Sequence, residues 1–206
     1  MILAFDCTFE TTSVAVLDGG GRLMSFKSDD RERSQTEILM PLIKGAMEEA
    51  GVSFKELTKI AVTKGPGSFT GVRIGLASAQ GLSFASNVPL VGVSALEAVA
   101  FKAEQPDLCV VLETKRDDFY VQTFKYLNPI STPYVADARR LKDMRGTVFA
   151  GNGVGRLQRE IGPVRTYPVE MPDAKTIALL AMDRPASFDE VEPLYLREAE
   201  VHVKCT

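Results

Sequence analysis

Behind the apolar run Ile60-Ala61-Val62 the chain reads Lys64-Gly-Pro-Gly-Ser-Phe-Thr-Gly-Val-Arg-Ile-Gly75. This stretch limits the fold more than any other. Proline fixes its own φ and has no N–H to give, so a strand that runs into Pro66 ends there. Gly65 and Gly67 on either side can take the positive φ values that a sharp reversal needs. From Phe69 or Thr70 onward, a proline-free segment with apolar residues at helical spacing predicts a helix of about 16 residues, capped by Ser68 or Thr70. Strand, glycine turn and helix in succession is the unit of layered α/β domains.

Such a turn can cradle a phosphate at the helix N-terminus. Spacing excludes two well-known forms. A P-loop needs lysine and then a hydroxyl directly after its last glycine, whereas Gly71 is followed by Val72 and Arg73. The dinucleotide fingerprint needs two residues between its second and third glycines and an acid about 20 residues on. Gly67 and Gly71 are separated by three residues, and the first acid after the turn is Glu97. A tight structural turn remains, with anion contact as the narrower alternative. The helix carries two stripes, Gly71-Gly75-Ser78-Leu82 and Ala77-Gly81-Ala85. Glycine inside a helix costs about 1 kcal/mol relative to alanine, so another backbone should approach closely here. It belongs either to the chain's own sheet or to another helix, including one of a second subunit.

The first 27 residues predict three short strands, 2–5, 13–17 and 22–27, joined as an antiparallel meander. Ser34 to Glu37 forms a capping box. The helix it opens carries Ile38, Leu39, Leu42, Ile43, Ala46, Met47 and Ala50 and stops at Gly51. Pro41 inside it predicts a kink or a later start. A strand at 59–64, the turn and its helix, a strand at 89–93 and a helix capped by Ser94 with Glu97 complete the first half. The stretch "EQPD" (104–107) divides the chain into expected lobes 1–104 and 105–206. The second half predicts a hairpin from 108–113 and 119–127, a strand at 147–151 and an "NGVG" turn. A short helix "RLQREI", a capped helix over 172–182 and an extended segment over 191–198 follow.

Of 206 residues, 45% are hydrophobic and 25% charged, the balance of a soluble globular chain. A net charge of −3 gives no reason to bind a polyanion unaided. No apolar run reaches the roughly 20 residues that cross a bilayer. The opening "MILAFDCTFE" has no basic n-region and meets Asp6, unlike a signal peptide. Cys7, Cys109 and Cys205 are far apart and read as reduced thiols of a cytosolic protein. The single histidine, His202, reads as a surface residue near an end.

The stretches "ILAFDCTFETTSVAVL", "GPGSFTGVRIGLASAQGL", "PLVGVSALEA", "FAGNG", "PDA" and "PLYLRE" resemble, in order and spacing, the TsaB (YeaZ) family of glycoprotease-like proteins. The resemblance covers nearly the whole chain. It implies an α/β fold of two lobes, actin/Hsp70-like (ASKHA, ribonuclease H-like), each a mixed sheet flanked by helices. It further implies a non-catalytic subunit in making threonylcarbamoyl adenosine next to the anticodon of tRNA. The implied partners are the metal-holding paralogue TsaD and the ATPase TsaE, a homodimer when alone, and tRNA only through the complex. No cofactor is implied for this chain, ATP or ADP entering within the complex, and the place is the cytoplasm, away from membranes. The competing reading is an ASKHA-type nucleotide-binding enzyme or a glycoprotease-like peptidase.

Residue by residue, the resemblance places the partner interface on Leu39, Leu42, Ile43 and Ala46 of the first long helix. From the second it takes Gly71, Ile74, Gly75, Ser78 and Leu82. Asp6, Gly65, Gly67 and Ser68 are the candidates for an anion or nucleotide contact. No residue is assigned to catalysis or metal binding. Metal-dependent members of the wider family hold the ion with an H-x-x-x-H pair, and no histidine precedes position 202. Where many TsaB sequences carry histidine before "LLP", Ser34 stands here. "LETKRDDFY" lacks a D-x-G and departs from the usual D-A-R-x-G-E-x-Y at Glu113, Lys115, Asp117 and Asp118, while Tyr120 matches.

Overall fold

The computed structural model describes residues 1–31, 35–114, 116–144, 146–169 and 171–197. The capping box at Ser34, and Lys115, His202 and Cys205, lie outside the described residues.

The first sheet grows from the meander. β1 (Ile2–Asp6), β2 (Thr12–Leu17) and β3 (Leu23–Asp29) pair antiparallel, with Ile2 opposite Leu17. β4 (Lys59–Thr63) lies parallel on the other side of β1, with Leu3 opposite Ile60. β5 (Leu90–Val93) lies parallel to β4, giving the order β3-β2-β1-β4-β5. Alternate residues of a strand face opposite sides. Leu3, Phe5, Val14, Val16, Ile60 and Val62 therefore share one core with α1 (Gln35–Ala50) and α2 (Phe69–Ser86). α1 continues across Pro41. α3 (Ala95–Ala103) follows β5, with the expected Ser94–Glu97 capping box.

The second sheet repeats the start of the first in reduced form. β6 (Asp107–Glu113) and β7 (Phe119–Lys125) make the hairpin, with Asp107 opposite Lys125. β8 (Asn128–Pro129) and β9 (Tyr134–Ala136) both lie along β7. α4 (Ala138–Leu141) leads to β10 (Val148–Ala150), parallel to β6. α5 (Val154–Ile161) starts two residues before the expected "RLQREI", so half of the "NGVG" turn is helical. α3 fills one face of this sheet through Leu96, Val99 and Ala103. Leu141 of α4 and Leu157 of α5 fill the other.

α6 (Ala174–Met182) is capped by Asp173, which accepts from Thr176 N at 2.9 Å. It lies with the first sheet, not the second. Ile177, Ala178 and Ala181 sit on the back of that sheet against Ile2, Ala4, Ala15 and Ala61. Small residues on both sides let the helix approach the strands closely. Ser187 then extends the free edge of β5 by two hydrogen bonds to Leu90, of 2.7 and 3.0 Å. Position 104 therefore divides the sheets but not the chain, because residues from 173 on return to the first. Among the described residues, no helix is long and apolar enough to cross a membrane.

Lys59 holds this return in place. Its Nζ donates to the carbonyls of Ala181 (3.0 Å), Met182 (2.6 Å) and Arg184 (2.7 Å), the open C-terminal end of α6. A cation there supplies a donor to the Met182 and Arg184 carbonyls, joins the backbone amides on Ala181 O and opposes the helix dipole. Lys59→Met should take this donor from the three carbonyls and cost about 1–3 kcal/mol, read as a lower urea midpoint.

Candidate functional site

The glycine turn packs against backbone of its own lobe. Ser68 N donates to Thr8 O at 2.8 Å. A Cβ at Gly67 would stand 2.7 Å from that same oxygen, and one at Gly71 would overlap the Cys7 carbonyl. Ser68 caps α2 by accepting from Gly71 N at 3.3 Å. Gly65 has a φ of 98°, as expected, but Gly67 does not take a positive φ. Its glycine is needed for the close approach to Thr8, not for a reversed backbone. The amides of Ser68 and Gly71 are thus both engaged within the chain.

Asp6 ends β1 beneath this turn and is only 2% exposed. Its Oδ1 accepts from Thr8 N at 3.0 Å and Thr8 Oγ1 at 2.6 Å. Burial pushes the carboxyl pKa up, against the downward pull of the Thr8 bonds. The nearby Thr12 and Thr63 hydroxyls are buried with no hydrogen bond of good geometry. Cys7 and Cys109 are free and buried. Burial raises both thiols, Cys109 to about 12, so neither is a ready nucleophile.

Two acids of the second lobe, Glu113 and Asp118, are tied to arginines. Arg156 holds Glu113 at 2.8 Å, donates to Asp118 O at 2.6 Å and lies 3.8 Å over the Phe119 ring. Asp118 accepts from Thr114 Oγ1 at 2.6 Å and pairs with Arg197. Among the described residues, no three His, Cys, Asp or Glu side chains gather as metal ligands.

The expected interface residues divide. Leu39, Ile43, Ala46, Gly71 and Gly75 lie in the chain's own core and are withdrawn from the interface. A Cβ at Gly75 would meet Val62 Cγ2 at 3.3 Å, so this stripe faces the sheet. Leu42, Ile74 and Leu82 are half-buried against the same core, and Ser78 is half-buried. The other stripe faces outward. Ala77, Gly81 and Ala85 are exposed, beside a Phe84 that is 93% exposed. A Cβ at Gly81 would meet nothing within 4 Å, nor would one at Gly45 of α1. Met40 of α1 is exposed as well.

One cluster on this side escaped the sequence reading. Arg73, the only charged residue among the 18 of α2, lies 3.8 Å over the Phe69 ring. Its Nε donates to Tyr195 Oη at 3.0 Å, and Phe69 and Tyr195 lie 5.4 Å apart. The lone charge was visible in the sequence. That Tyr195 joins it, 122 residues on, was not.

The glycine turn, its helix and the two unequal lobes can now be compared with known proteins. A family model described as TsaD: tRNA N6-adenosine threonylcarbamoyltransferase matches residues 29–141. The chain belongs to this family. Its likeness over nearly the full length is to TsaB. The tRNA threonylcarbamoyladenosine biosynthesis protein TsaB of Bacillus subtilis is 26% identical over 98% of this chain and 96% of that protein. TsaB of Escherichia coli K12 is 38% identical over 48% of this chain, a match spanning only 42% of that protein. The structure of YeaZ from Pseudomonas aeruginosa superposes with a TM-score of 0.79 at 27% identity, covering 95% of this chain and 99% of that one. The fold is the expected two-lobed ASKHA type, and the resemblance to TsaB and YeaZ holds.

Two substitutions separate the faces of α2. Gly71→Ala should cost about 3 kcal/mol by forcing the turn off Cys7. Gly81→Ala should instead add about 1 kcal/mol of helix stability. Urea denaturation of dilute protein measures both. Asp6 gives a pH test. Its folded pKa lies above the unfolded value, so its contribution is full below the unfolded pKa and lost as pH rises through the folded one. Asp6→Asn keeps an oxygen for Thr8 without the buried charge. The variant should be the more stable at pH 8, with the difference closing as pH falls toward 4.

Proposed function

We propose that this chain serves threonylcarbamoyladenosine formation in tRNA as a subunit without chemistry of its own, whose task is to pair. One observation carries the reading: the outward side of α2. Leaving Phe84 in water forgoes about 1.5–3 kcal/mol of burial. Gly81 costs about 1 kcal/mol of helix propensity, and nothing in the chain needs it there. A monomer recovers neither cost. A second helix laid closely against Ala77, Gly81 and Ala85 offsets both.

The partner we propose is a paralogue of the TsaD type. It shares the family's fold, so its own equivalent helix pair can meet this one about a pseudo-twofold axis. A second copy of this chain takes the place when the paralogue is absent, and TsaE joins the pair. Of the earlier interface set, Leu42, Ile74, Ser78 and Leu82 remain as flanking contacts. Arginine ties at Glu113 and Asp118, and buried thiols, favour a silent subunit over an enzyme. The chain needs no cofactor of its own, ATP or ADP acting elsewhere in the complex. With its net charge of −3, it meets tRNA only through that complex, in the cytoplasm.

Phe84→Glu should leave the monomer folded, since that ring touches no core. In size-exclusion chromatography it should fail to co-elute with the TsaD-type paralogue. Threonylcarbamoyl transfer to tRNA should be absent with this chain alone and present with parent chain, paralogue and TsaE together. Full modification by the chain alone would sink the proposal.

A further inference from the structure

The Arg73 clamp lies on the face assigned above to the partner, and its chemistry is specific. Guanidinium is planar and stacks on aromatic rings while its edge stays free to donate. Here one flat side lies 3.8 Å over Phe69, and Tyr195 lies near, its centroid 5.9 Å away. Nε is engaged by Tyr195 Oη. No carboxylate among the described residues pairs with Arg73, so its two terminal nitrogens keep their donors. Phe69 and Tyr195 are themselves 49% and 44% exposed. Apolar contact area and a fixed cation thus stand together at the N-terminal end of the outward side of α2.

Tyr195 comes from the segment that returns along the first sheet. Leu194 N donates to Lys64 O at 2.7 Å, beside the glycine turn. Arg197, two residues on, pairs with Asp118 of the second lobe. The clamp is therefore held from both lobes. Three long side chains fixed before an encounter lose less freedom on binding than three loose ones.

We infer that the Phe69–Arg73–Tyr195 clamp is the polar anchor of the partner interface, presenting a pre-set guanidinium edge to a carboxylate of the protein seated on α2. This rests on the pairing reading above. A protein carboxylate is favoured over an RNA phosphate for two reasons. The surface continues into Ala77, Gly81 and Phe84, which fit another helix. Arg73 is the only charge on α2, whereas phosphate backbones are gripped by several cations at once. Arginine and tyrosine anchored among apolar contacts are also the residue types that dominate binding at protein interfaces.

The test measures pairing with the TsaD-type paralogue from the same genome, by calorimetry at low and high salt. Parent, Arg73→Met, Tyr195→Phe and Phe84→Glu are compared, each checked for folding by thermal melting. Arg73→Met should weaken pairing by about 10- to 100-fold and flatten its salt dependence. Tyr195→Phe keeps the ring and loses the oxygen, and should weaken pairing severalfold. This second variant decides if Arg73→Met fails to fold. One Asp or Glu→Lys change on the paralogue should restore pairing to Arg73→Glu. If Phe84→Glu abolishes pairing while both clamp variants pair as the parent does, the anchor is refuted and the pairing reading stands. If Phe84→Glu pairs normally, the reading fails and takes the anchor with it. If the clamp variants lose affinity for tRNA but not for the paralogue, the ligand is a phosphate and the inference is overturned.

Discussion

Two carbonyl oxygens, of Cys7 and Thr8, set the position of everything on one side of this molecule. They emerge where β1 ends, and the turn before α2 closes directly onto them through Gly67, Ser68 and Gly71. Only glycine permits that approach, because a Cβ at 71 would overlap the Cys7 oxygen and one at 67 would crowd the Thr8 oxygen at 2.7 Å. The contact fixes the axis of α2 against the sheet. It thereby fixes which stripe of the helix is inside and which faces outward. It also engages the Ser68 amide.

The same closure explains Asp6. Sealed beneath the turn, its carboxyl is held by Thr8 and shielded from water. The second lobe tells a similar story by other means, with Glu113 and Asp118 bound to Arg156 and Arg197 rather than left open. In both lobes these polar positions hold the chain together.

That surface depends on long-range returns of the chain. α6 crosses back beneath the first sheet and is fastened by Lys59. The following segment adds Ser187 to the edge of β5 and brings Tyr195 to Arg73. The two lobes are thus unequal in a functional sense: the first carries the outward helices, and the second helps to brace the segment that completes their end.

The sequence by itself determined the local units. The meander, the caps at Ser68 and Ser94, and the strand–turn–helix around Pro66 follow from period, capping chemistry and the special backbones of glycine and proline, all of which act within a few residues. Motif spacing likewise ruled out a P-loop, and the stretches shared with TsaB pointed to the family. Only the tertiary structure decided which side of α2 meets the sheet. Gly75 and Gly81 are the same residue in the same helix, and spacing gives both a stripe of small neighbours. They differ because Val62 stands over one and nothing stands over the other. The destination of α6 and the meeting of Tyr195 with Arg73 were hidden for the same reason. A helix pattern states that an apolar face must be covered, but burial rewards any apolar surface alike. Which surface does the covering is settled only when the whole chain packs.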